Sequence, residues 1–112
     1  MPRVKIYDAW SIPRGVVKIA NAVCADYERR AAVLRAGNAS EAVLEEYRKL
    51  NSAVDAAIGE IDEPRIGEEI LRDMVGRRGY EKSQTQIFLC KNSYYARRRM
   101  VIYLVARALA LV

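Results

Sequence analysis

KNSYYARRRMVIYLVARALALV, residues 91–112, decides how the chain reads. Its first half is basic and aromatic, with Lys91, Tyr94, Tyr95, Arg97, Arg98 and Arg99. Its second half, residues 100–112, is apolar except for Arg107, and no proline or glycine interrupts the stretch. Val101, Val105, Ala108 and Val112 recur at helical spacing, Tyr94 and Arg98 extend that line backwards, and Leu104 and Leu111 widen it. The pattern predicts one long helix, its C-terminal end in a core and its basic N-terminal end open to a polyanion. A helix that reads DNA has this layout, with its first turns in the major groove.

Working backwards, Leu89, Cys90 and Lys91 read as a tight turn. A short helix over residues 80–88 precedes it. That helix can begin at Tyr80 or, with Ser83 and Gln86 as a capping box, three residues later; both starts stay open. Gly76 and Gly79 bracket Arg77 and Arg78 in a loop. Before the loop, Pro64–Val75 reads as a helix that buries Ile66, Ile70, Leu71 and Met74, with Glu68 and Glu69 near the positive end of its dipole. Gly67 inside it has no evident reason. Asp62, Glu63 and Pro64 interrupt the helical pattern and mark the expected boundary between two regions, 1–62 and 63–112.

The first region predicts an antiparallel helical hairpin. Ser11, Ile12 and Pro13 form a helix start, and Tyr7 and Trp10 before it are expected to pack on that helix. Its stripe is Val16, Ile19, Ala20, Val23, Tyr27, Ala31 and Leu34, ending at Gly37. Asn38, with Glu41 three residues on, is expected to cap a second helix with the stripe Val43, Tyr47, Leu50, Val54, Ala57 or Ile58, and Ile61. Each helix has a single apolar stripe, which can be covered within the hairpin, by the C-terminal region or by a second copy. A homodimer is the preferred expectation.

The chain has 112 residues with 52% hydrophobic, enough for one small domain with a core. The net charge of +5 is unevenly placed: residues 1–62 balance nine Lys and Arg with nine Asp and Glu, whereas residues 63–112 hold ten against five. From residue 74 onward eight basic residues face one acid, Glu81. That asymmetry points to a nucleic-acid face. The chain has no histidine, so the commonest general base and zinc ligand is missing, and no glycine pattern cradles a phosphate. No enzyme, cofactor, metal or small-molecule ligand is expected. Cys24 and Cys90 are far apart and expected to be buried and reduced, which suits a cytoplasmic chain. Residues 100–112 are too few to span a bilayer, so no membrane partner is expected.

The fold class expected is therefore all-α, a hairpin followed by a helix-turn-helix with a long last helix. The last helix and its turn also resemble a known family. Tyr94, Tyr95, Arg98, Ala106 and Leu109, with Ile87 and Leu89 upstream, are similar to the C-terminal end of phage transcriptional regulators of the ArpU and RinA type, whose helix-turn-helix is like region 4 of sigma factors. Ser83, where that family has an apolar residue, and Arg97 depart from its pattern. The resemblance covers about the last 45 residues and implies a sequence-specific DNA-binding regulator of phage or prophage genes, with double-stranded DNA as partner and RNA polymerase as an open second one. Along the last helix, Tyr94, Val101, Leu104, Val105 and Ala108 form the expected core line. Asn92, Ser93, Tyr95, Ala96 and Arg99 form the face opposite, where Asn and Arg have the geometry for base edges. Lys91, Arg97 and Arg98, with Arg77, Arg78 and Lys82 from the preceding segment, suit phosphates. The alternative is a helical adaptor or a phage assembly or packaging subunit without sequence-specific DNA binding.

Overall fold

In a computed structural model, which describes residues 12–112, the chain is all-α. The expectations for Tyr7, Trp10, the Ser11 cap and the Ile87 side chain fall outside the described residues. Five helices follow in order among those residues: α1 (Arg14–Ala25), α2 (Tyr27–Ala36), α3 (Glu41–Gly59), α4 (Pro64–Val75) and α5 (Lys91–Ala108). Two short 3-10 turns, Tyr80–Lys82 and Gln84–Ile87, stand between α4 and α5.

The single first helix expected up to Gly37 is kinked into α1 and α2 at Asp26. The cause is Arg30, whose buried guanidinium donates to the Val23 carbonyl and to Asn51 Oδ1 at 2.7 Å. A side chain that takes a mid-helix carbonyl breaks the ladder there. Gly37 ends α2 in the left-handed region at φ 67°, as its position predicts. The second helix is capped by Ser40, not Asn38: Ser40 Oγ accepts from the Val43 N–H at 3.3 Å. Its stripe is shifted accordingly, with Leu44 buried and Val43 exposed, and Ile19 on α1 is likewise exposed. The hairpin is antiparallel. Tyr27, at the start of α2, donates through its hydroxyl to Asp55, whereas Arg29 and Arg30 further on donate to Tyr47 and Asn51, which precede Asp55 on α3.

The inner part of these stripes, but not Ile19 or Val43, is covered within the chain. Ala20, Cys24, Val54 and Ala57 join Ile66, Ile70 and Met74 of α4 and Tyr94, Val101, Ile102, Val105 and Ala106 of α5 in one core. The last helix packs chiefly on α1 and α3, and α4 packs on the same two helices. Gly67 is explained by the end of α3: a Cβ there would lie 3.1 Å from the Ile58 carbonyl oxygen and 3.3 Å from Ile61 Cβ. The helix α5 stops at Ala108, short of residue 112. Leu111 N–H donates to Ala106 O at 2.8 Å and Ala110 N–H to Arg107 O at 3.1 Å, with Ala110 at φ 58°. That is the 6→1 and 5→2 pairing of a Schellman turn, and it folds Leu111 back onto the core. Ala108, expected in the core line, is exposed. No helix among the described residues is long and apolar enough to cross a membrane.

Candidate nucleic-acid interface

The segment between α4 and α5 is short of regular hydrogen bonds, so side chains must hold it. A Schellman turn closes α4, with Arg78 N–H donating to Asp73 O at 2.8 Å and Arg77 N–H to Met74 O at 3.3 Å. Arg77 takes the left-handed position at φ 57°, where glycine is usual. Tyr80 then spans the segment: its N–H donates to Tyr95 Oη at 3.0 Å and its own hydroxyl donates to the Leu89 carbonyl at 2.7 Å. Gly79 leaves room for this contact, since a Cβ there would sit 2.7 Å from Tyr95 Oη. Neither expected start of the short helix prevails alone. Tyr80 opens the first 3-10 turn, and Ser83 caps the second, accepting from Thr85 N–H at 3.1 Å.

Beneath the segment lies a buried polar cluster that anchors α5. Asp73 is fully buried. Tyr94 Oη donates to its Oδ2 at 2.6 Å, and Arg78 donates to Oδ1 through Nε at 3.1 Å and Nη2 at 3.0 Å. Burial opposes the charge on Asp73, but the hydrogen bonds from Tyr94 and Arg78 help outweigh it and hold the carboxyl below its ordinary range. Burial, and after it the hydrogen bond to Asp73, pushes the Tyr94 phenol well above its ordinary value. Glu69, also buried, pairs with Arg72 at 2.5 Å and accepts from the Gln84 N–H at 3.2 Å. The two acids near the start of α4 are therefore not equivalent: Glu68 is exposed, and Glu69 ties α4 to the second turn. Sequence reasoning missed Glu69 and Asp73. The signal was present, because Ile66, Glu69, Ile70 and Asp73 follow i, i+3, i+4, i+7 and put both acids on the buried face.

The ten candidate residues separate into three groups. Lys82, Lys91 and Asn92 are exposed at the turn and at the first turn of α5, with Ser93 half-buried beside them. Lys91 Nζ lies 3.2 Å from Glu81, an exposed pair of little strength. Arg77, Arg78, Arg98 and Arg99 line a groove of about 340 Å³ with Gly79, Tyr95 and Ile102. Within it Arg98 also serves the scaffold, donating to the Arg78 carbonyl at 2.6 Å and to Tyr94 Oη at 2.9 Å. Arg97 faces elsewhere: it makes a two-pronged pair with Asp62 at 3.0 and 3.1 Å and holds that carboxyl below its ordinary range.

Two expectations for the base-reading face need correction. The Tyr95 hydroxyl is engaged by Tyr80 and its ring meets Tyr94 edge-on at 5.0 Å, so Tyr95 braces the loop. Ala96 is buried. The accessible part of the face is its first turn. Both thiols are free, but only Cys24 is buried, with its pKa pushed up to about 12 by that burial. Cys90 is exposed at the N-cap of α5, where Ser93 lowers its pKa. Among the described residues no group of three or more His, Cys, Asp or Glu is placed to hold a metal ion. Comparison with protein-family models, curated proteins and solved structures finds no match for this chain.

Proposed function

We propose that this chain is a sequence-specific DNA-binding transcriptional regulator that presents the first turn of α5 to the major groove. One observation carries the reading. Lys91, Asn92 and Ser93 stand at the open end of a helix whose other end is core, next to the exposed Lys82, Gln84 and Gln86. A short turn leading into a well-anchored helix with an accessible polar first turn is the arrangement a helix-turn-helix uses. Asn92 is the base-reading candidate, and Lys82, Lys91 and Arg77 are the phosphate contacts. The phage or prophage setting, and RNA polymerase as a further partner, rest on the resemblance over about the last 45 residues alone. A cytoplasmic location suits this reading.

We place the pairing of two copies on the DNA, at two half-sites, because Ala20, Val54, Ala57 and Ile61 of the stripes that suggested a free dimer are already buried in a core shared with α5. The test is a set of duplex-binding isotherms at two salt concentrations, using fragments retained from a genomic pool. Lys91→Ala is expected to lower the salt slope by about 0.9 on every sequence. Asn92→Ala is expected to cost roughly 1–3 kcal/mol on the retained site and little on other duplexes. A parent chain without salt-dependent duplex binding would leave the adaptor or assembly-subunit reading in its place.

A further inference from the structure

A second basic surface lies on the other side of the turn. Between α4 and the second 3-10 turn runs a groove of about 380 Å³, its rim formed by Arg65, Arg72, Lys82, Gln84 and Phe88. The buried Glu69 in its floor is matched by Arg72 and Arg78, which leaves Glu68 as the exposed acid against three exposed cations. Arg72 uses one nitrogen on Glu69 while its side chain stays 62% exposed, so donors remain for a ligand. Arg65 stands in the first turn of α4, where the helix dipole disfavours a cation, and its guanidinium lies over the Phe88 ring at 5.1 Å. Phe88 is 52% exposed. A cation set against its own helix, over an aromatic ring that stays about half open to solvent, is poorly accounted for by folding alone.

We propose that this groove cradles the DNA backbone, with phosphates on Arg65, Arg72 and Lys82 and a deoxyribose against Phe88. The inference rests on the DNA-binding reading and extends its footprint from α5 onto α4. Continuity decides the occupant. Lys82 and Gln84 belong both to the groove and to the turn that leads into Lys91 and Asn92. In a helix-turn-helix complex the helix before the reading helix crosses the backbone, which brings a strand to this turn. An acidic peptide would answer the same cations but would have no reason to continue onto the first turn of α5.

The experiment titrates the full chain with a mixed-sequence duplex at several salt concentrations. Arg65→Gln is expected to reduce the salt slope by about 0.9, so that the affinity lost between about 50 and 200 mM salt shrinks roughly 3.5-fold. Glu68→Gln is expected to tighten binding at low salt, since it removes the opposing charge. Both changes are at exposed positions, and thermal melts confirm that each variant folds. Isotherms of Arg65→Gln and Glu68→Gln that superimpose on the parent, while Lys91→Ala is weakened, overturn the cradle and leave the DNA-binding reading standing. A parent with no salt-dependent binding overturns both.

Discussion

At the residue scale, Arg77 shows stability and function pulling apart. An L-residue in the left-handed region costs about 1–2 kcal/mol relative to its usual conformations, and glycine escapes that cost. Arg77 holds φ 57° at the end of α4, yet its side chain is exposed beside Arg78, Arg98 and Arg99. Backbone strain retained at an exposed cation fits a binding role better than a folding one. Arg77→Gly is therefore expected to raise stability by roughly 0.5–1 kcal/mol while weakening duplex binding and lowering its salt slope. Denaturant unfolding and salt-dependent isotherms on the same variant separate the two effects. A variant that loses stability and keeps full binding would remove Arg77 from the interface. Arg98 shows the reverse case: charge and position suggested a phosphate contact, but two of its hydrogen bonds go to the Arg78 carbonyl and to Tyr94.

At the element scale, the orientation of α5 depends on one buried carboxylate. Asp73 joins α4 to Arg78 of the loop and to Tyr94 of α5, with the buried Glu69 as a second, longer partner of Arg78 at 3.6 Å. Replacing it with asparagine keeps the shape but removes the nearer of the two carboxylates that pair with the Arg78 guanidinium. Hydrogen bonds to charged groups contribute about 1.5–3 kcal/mol, and breaking a fully buried pair costs about 3–5. Because Arg78 is partly open to solvent, Asp73→Asn is expected to cost roughly 2–3 kcal/mol at neutral pH. The folded-state pKa of Asp73 is depressed. Its stabilisation is therefore fully present above the unfolded value, about pH 4, and is lost as the pH falls through the folded-state value. Unfolding at pH 7 and pH 3 should show the parent losing more stability on acidification than Asp73→Asn. Equal losses would mean that the Asp73 charge does not hold the segment. This element also marks the limit of sequence reading. Pro64 made the start of α4 legible to the residue, because its ring acts through its own backbone, whereas the left-handed residue that closes the helix is Arg77 and not Gly76. The burial of Asp73 could be read from its register with Ile66 and Ile70, but its partner could not, because Tyr94 lies 21 residues away.

At the scale of the whole molecule, the same distinction between local and distant causes decides what was foreseen. The all-α class, the hairpin, the Gly37 stop and the long last helix followed from periodicity and turn residues. The kink at Asp26 did not, because it depends on Arg30 meeting Asn51 across the hairpin. Nor did the fate of the hairpin stripes, since one apolar stripe looks alike whether its cover is α5 or a second chain. With α5 as the cover, the exposed large apolar residues among those described are Ile19 on α1, Val43 on α3, Phe88 before α5, and Val112. They sit on four separate parts of the chain, whereas a stable interface buries about 800 Å² on each partner with a contiguous apolar centre. The unbound chain is therefore expected to be a monomer. Light scattering at micromolar concentration should report about the mass of one chain, 12.7 kDa. Adding a duplex with two half-sites one helical turn apart should give a complex with two chains per duplex. A mass near twice the monomer's without DNA would show that a second copy covers a face the hairpin leaves open, and would return dimerisation to the free protein.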